Sequence, residues 1–318
     1  MNKLDETEII RIFQRCFGRK SKFVPEDVEV LRMGRAILVT KSDMLVESTD
    51  VPPGMKVMEI ARKSMVACVS DFACKGIKPQ YATISLAIPR MFSRSKINQL
   101  SAGFTKASRE FGVKIIGGDM NEGKELVIEV SMFGIGKKII NRRGANSNDV
   151  IITSGSFGYS SVGLRIILNH LRADSKFTKK CKRFVFMPTP KLKFGLAIAN
   201  YISSAMDSSD GLSNTLNEMS RQSHKKFVIT KLPTKPEIEK FATKNKIKLT
   251  DLVFCGGEEY EIVATVSQNN LPKIRRISRI LKIPLFEIGY VIKGKNVFYQ
   301  EKNKITTVKD CGWLHFKS

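Results

Sequence analysis

Six cysteines and three histidines are too sparse, and too far from any C-x-x-C pairing, to assemble a zinc site of ordinary spacing. The expectation is a reduced, cytoplasmic chain. No window of about 18 apolar residues is present to span a bilayer, and the opening Met1-Asn2-Lys3-Leu4-Asp5-Glu6 turns acidic at once, without the apolar stretch of a signal peptide. A soluble protein with no membrane partner is expected. Also missing are the phosphate loop G-x-x-x-x-G-K-[ST] and the dinucleotide fingerprint G-x-G-x-x-G, which sets aside the commonest nucleotide folds. Acids are scarce: 54 Lys and Arg stand against 30 Asp and Glu, a net charge of +24. Residues 1–150 carry 25 basic and 17 acidic residues (+8), and the remainder 29 and 13 (+16). Such an excess first points to nucleic acid. It is spread over both halves, however, with no basic tail or arginine-rich arm, so nucleic acid is not expected as a partner.

The chain has 318 residues, 42% of them hydrophobic, which is enough for a substantial core and for two domains. Apolar spacing predicts a helix over 5–17, a short strand over 36–40, and a long helix from 55 to about 74 after Pro52-Pro53-Gly54. A strand over 79–88, a helix over 93–111, a strand over 113–116 ending at Gly117-Gly118 and a strand over 126–136 follow. The polar passage Arg142-Arg143-Gly144-Ala145-Asn146 places a boundary near 145, giving domains 1–145 and 146–318. In the second, strands are read over 150–153, 227–231, 261–266, 285–291 and 297–299, with helices over 160–171, 191–201, after Asp210-Gly211, and 271–281. The alternation predicts a mixed α/β (α+β) fold.

In a chain this basic the informative question is where carboxylates gather. Five of the thirteen acids after residue 150 fall in two short strings, Asp207-Ser208-Ser209-Asp210-Gly211 and Gly257-Glu258-Glu259-Tyr260-Glu261. Asp210 can be read as a cap of the helix that follows. Asp207 resists that reading, because it ends an apolar strand-like stretch where a buried carboxylate needs a cation or donors. Two acids at a strand-to-helix turn suit a hard, oxygen-liganded cation such as Mg²⁺. Gly117-Gly118-Asp119 reads as a bend, or as backbone that approaches a phosphate closely with Asp119 on its metal. Asp71 lies in an apolar helical pattern, and Ser42-Asp43 closes a strand; each admits a bland solvated reading beside metal ligation.

Taken in order, these strings resemble the thiamine-monophosphate kinase family of the aminoimidazole ribonucleotide synthetase superfamily, in an archaeal-type form. The segments are Glu26-Asp27, SDMLVESTDVPPGM from Ser42, ARKSMVACVSDFACKGIKP from Ala61, GGDMNEG from Gly117, RRGAN from Arg142, MDSSDGLS from Met206, GGEEYEI from Gly256 and GWLHF from Gly312. The resemblance implies a two-domain fold with mixed sheets covered by helices, N-terminal domains pairing in a homodimer, and ATP with Mg²⁺ in a cleft between domains. It implies transfer of the γ-phosphate of ATP to thiamine monophosphate. By position it implies Asp27, Ser42, Asp43, Asp71, Asp119, Asp207 and Asp210 as metal ligands. Gly118, Asp119, Arg142 and Ser209 fall at ATP contacts, and Asp50, Glu258 and Trp313 at substrate contacts. Asp43, Asp119, Asp207 and Arg142 are the residues it implies for catalysis. Three positions depart from the family pattern: Lys41 replaces a small hydroxylated residue, Asp50 a common histidine, and Ala102 an aromatic.

A phosphate-monoester acceptor is mostly dianionic at neutral pH, with a second pKa of about 6, so its attacking oxygen needs no general base. The obstacle is repulsion between two polyanions, which divalent cations held by acids would relieve.

Overall fold

The computed structural model describes residues 6–16, 25–314 and 316. The N-terminal half runs α1 (Glu6–Cys16), β1 (Glu29–Met33), β2 (Ala36–Val46), α2 (Glu47–Asp50), α3 (Val57–Cys74), β3 (Tyr81–Pro89), α4 (Arg94–Phe111), β4 (Lys114–Gly123) and β5 (Val127–Gly136). Its five strands form one sheet in the order β1-β2-β5-β3-β4, antiparallel except for the β3·β4 pair. Period-two alternation sends Ile128, Val130 and Met132 of β5 to one face, where α3 and α4 cover them. The opposite face, carrying Leu31, Met33, Met44, Tyr81 and Ile135, is left open.

The C-terminal half runs β6 (Val150–Thr153), α5 (Tyr159–Leu168), α6 (Ser175–Phe186), α7 (Leu192–Ile198), β7 (Ser204–Asp207), α8 (Leu212–Ser223), β8 (Lys225–Ile229), α9 (Pro236–Lys244) and α10 (Leu249–Phe254). It continues with β9 (Ile262–Val266), α11 (Leu271–Leu281), β10 (Phe286–Lys293), β11 (Val297–Glu301) and β12 (Lys304–Thr307). These strands build a second sheet, β12-β11-β8-β10-β6-β9-β7, in which only β11·β8 is parallel. The fold class is therefore the expected mixed α/β arrangement.

Helix α3 joins the halves. A surface helix shows one apolar stripe, but α3 is buried almost all round from Ile60 to Cys74, because its outer side packs on the second half as well as the first sheet. The approach is close enough to exclude a side chain. A Cβ on Gly195 of α7 would lie 2.0 Å from the carbonyl oxygen of Ala73.

Several local expectations are corrected. Strand β4 does not stop at Gly117-Gly118 but runs through them to Gly123. A Cβ on Gly118 would lie 1.7 Å from the Ile84 carbonyl oxygen, so strand packing by itself demands glycine there. Helices α6 and α9 occupy stretches where no element was expected. Their narrow stripes, Phe177-Cys181-Val185 and Ile238-Phe241-Ala242, are diluted by lysines. The chain is also not fully reduced: Cys255 and Cys311, 56 residues apart, form a disulfide that sequence spacing gave no reason to expect.

Candidate active site

Strand β7 delivers Asp207, buried along with the rest of its strand, to the edge where α3 passes. Helix α3 presents Lys63, Ala67 and Asp71 at four-residue spacing and its C-cap Lys75 continues the same stripe. Asp27 precedes β1. Asp27, Asp71 and Asp207 are all buried, and each has a carboxylate oxygen within 4.8 Å of the others.

Their electrostatics differ. Burial would raise Asp27, yet Lys75 and Arg142 hold it well below the usual carboxylate range: Lys75 Nζ lies 2.6 Å from Oδ2, and Arg142 Nε donates to Oδ1 at 2.9 Å. Burial pushes Asp71 well up, with Lys41 pulling back and Asp207 and Asp27 adding to the rise. Burial and then Asp27 push Asp207 to about 7. Asp210 is pushed to about 6 by burial and by Glu6. The N-cap of α8 is Gly211 and no side chain caps the helix, so Asp210 is not spent as a capping residue. A buried, oxygen-only donor set under this strain fits a hard divalent cation.

These acids line one side of a cleft of about 770 Å³. Of the residues singled out from sequence, Asp27, Asp43, Asp50, Asp71, Arg142, Asp207, Ser209, Asp210, Glu258 and Trp313 border it. Backbone bonds gather three distant strings there: Tyr260 N–H donates to the Ser208 carbonyl at 3.1 Å, and Trp313 N–H to that of Asp210 at 2.9 Å. Glu258 and Tyr260 both hold positive φ, a strained loop kept by these bonds and by the adjacent disulfide. The indole of Trp313 is 59% exposed at the cleft's edge.

Ser42, Gly118 and Asp119 are not brought together with this group within one chain. Register places Ser42 opposite Ser131, and Asp119 opposite Ser85, on the open face of the sheet, whereas Lys41 and Asp43 point to the helix side. Ser42 donates to Glu129 and lies 2.8 Å from Ser131 Oγ. Ala102 is an exposed position of α4 away from the cleft.

Sequence reasoning missed Lys63, which is buried, pairs with Glu258 and donates to the Asp50 carbonyl at 2.9 Å. It also missed Lys75. The available signal was the Lys63-x₃-Ala67-x₃-Asp71-x₃-Lys75 stripe in an otherwise apolar helix.

The family model for the AIR synthase related protein N-terminal domain matches residues 25–136, and that for the C-terminal domain matches 146–302. A thiamine-monophosphate kinase of Nitrosopumilus maritimus is 49% identical over 317 residues, with 100% of both chains covered. This chain belongs to the thiamine-monophosphate kinase family. A second member, from Pyrococcus horikoshii, is 32% identical over 100% of this chain and 98% of its own. The solved structure of AaThiL complexed with AMPPCP and TMP shares the fold at a TM-score of 0.87 and 24% identity, covering 99% of this chain and 98% of that one. No described helix is long and apolar enough to cross a membrane.

Proposed function

We propose that this chain transfers the γ-phosphate of ATP directly to the phosphate of thiamine monophosphate, giving thiamine diphosphate. What supports this reading is the convergence of Asp27, Asp71 and Asp207 beside Arg142, in a cleft that also holds Glu258 and Trp313. Asp27, Asp71 and Asp207, with Asp43 and Asp210 nearby, would hold Mg²⁺. Bound there, Mg²⁺ would neutralise phosphate oxygens and let two polyanions approach. Arg142, held by Asp27, and Ser209 both border the cleft and would meet the triphosphate there. Lys63 orients Glu258 toward the aminopyrimidine, and Trp313 closes over the aromatic rings. Asp50, whose carboxylate accepts the Val46 N–H at 2.7 Å, borders the same end of the cleft. The acceptor arrives as a dianion, so no side chain has to remove a proton.

The open face of the five-stranded sheet fits a second copy. Leu31, Met33, Met44, Tyr81 and Ile135 are between 44% and 62% exposed on it, an apolar patch rare on a monomer. Ser42 and Asp119 share that open face and would contribute to the nucleotide site through this pairing, with Gly118 as the backbone beside Asp119. Light scattering checks it: a mass of two chains is expected, and Ile135→Asp should halve it.

Incubation with ATP, Mg²⁺ and thiamine monophosphate, followed by chromatography, should yield thiamine diphosphate. Absence of the diphosphate, or equal turnover of unrelated phosphate monoesters, contradicts the proposal.

A further inference from the structure

Lys41 stands where acids would otherwise face one another. It leaves β2 on the helix side, and its Nζ lies 2.9 Å from Asp71 Oδ2 and 3.8 Å from Asp43 Oδ2. Among the described residues no other cation pairs with either acid, whereas Asp27 already has Lys75 and Arg142. An ammonium between two carboxylates is a compact cation ringed by oxygens, the same local chemistry as a hard metal ion, with one positive charge in place of two.

We propose that Lys41 is a tethered cation occupying the position between Asp71 and Asp43 that a divalent metal would otherwise take, so that the acid cluster holds one metal ion fewer than its carboxylates allow. The side chain is long enough to set its ammonium within ion-pair distance of both carboxylates at once while its stem stays on the helix side of β2. Two consequences follow. The cluster keeps part of its neutralisation when neither metal nor phosphate is present. Metal is directed to the remaining oxygens of Asp27, Asp71 and Asp207. The inference rests on the reading above that these acids hold divalent cations.

The test counts Mn²⁺ bound to the full-length protein without nucleotide, from the loss of the free-ion paramagnetic resonance signal. The native chain should bind Mn²⁺, Lys41→Thr should bind one additional ion per chain, and Lys41→Arg should match the native count. Asp43→Asn added to Lys41→Thr should remove the gain. Native-like binding by Lys41→Thr, with the native chain binding normally, overturns the role of Lys41 alone. No Mn²⁺ on any form overturns the metal reading as well. If Lys41→Thr does not fold, amine labelling of the native protein decides: Lys41 should stay equally shielded when Mn²⁺ saturates the site. A rise in its labelling means that metal displaces it, and contradicts the proposal.

Discussion

Arg142 Nε donates to Asp27 Oδ1 at 2.9 Å, which ties an acid of the N-terminal half to the segment between the two sheets. The same guanidinium lies 3.9 Å from Glu218 of α8, so one side chain links three parts of the chain at the cleft. Arg142→Met should therefore act on both stability and nucleotide binding. Lys75 remains on Asp27, which limits the stability cost to about 2 kcal/mol. The KM for ATP should rise about tenfold or more, while that for thiamine monophosphate changes less. Chemical denaturation and steady-state kinetics check the two parts separately.

Trp313 borders the cleft from the C-terminal segment, anchored by its own N–H on the Asp210 carbonyl at 2.9 Å. Trp313→Ala keeps that anchor and removes the ring. A higher KM for thiamine monophosphate is expected with ATP affinity nearly unchanged. An effect confined to ATP would count against its place over the acceptor.

Glu259 supplies a pH test away from the metal cluster. Its Oε1 accepts the N–H groups of Gly158 and Ser160 at 2.7 and 3.2 Å, at the start of α5, while its buried Oε2 has no partner. Burial raises its pKa from 4.5 to about 8. The folded chain thus keeps a proton that the unfolded chain has released, and the stability from this group is lost as pH rises from about 4.5 through about 8, at up to about 1.4 kcal/mol per pH unit. Urea unfolding from pH 5 to 9 should show Glu259→Gln gaining on the native protein as pH rises. Parallel pH profiles would contradict the assignment.

The Cys255–Cys311 bond joins the Glu258 loop to the segment bearing Trp313. Thiol titration of the denatured, unreduced protein should find the four remaining cysteines, Cys16, Cys68, Cys74 and Cys181, with two more after reduction. Reduction should raise the KM for thiamine monophosphate more than that for ATP. Six thiols before reduction would contradict the bond.

What could be read in advance followed from local chemistry. Asp207 stood out because an acid ending an apolar strand needs compensation, whereas Asp71 in its apolar helical pattern was equally readable as a solvated helix face. Helix α11 carries Leu271, Ile274 and Ser278 on a clean buried stripe, and its bounds were legible. Other features depend on distance in space. The Cys255–Cys311 pairing spans 56 residues, and the stripe that marks Lys63 does not name its partner, Glu258, which meets it only on folding. Asp119 and Ser42 were grouped with Asp43 by their order in the chain. Strand register then set them on the opposite face, because adjacent strand residues point to opposite sides.

The central claim is that the buried acids hold cations so that two phosphates can meet, and its most direct measurement is the Mg²⁺ dependence of thiamine diphosphate formation in Asp207→Ala. That variant should fold, and its rate should fall by about a hundredfold or more at every Mg²⁺ concentration. A native Mg²⁺ profile with native rate in Asp207→Ala would contradict the account.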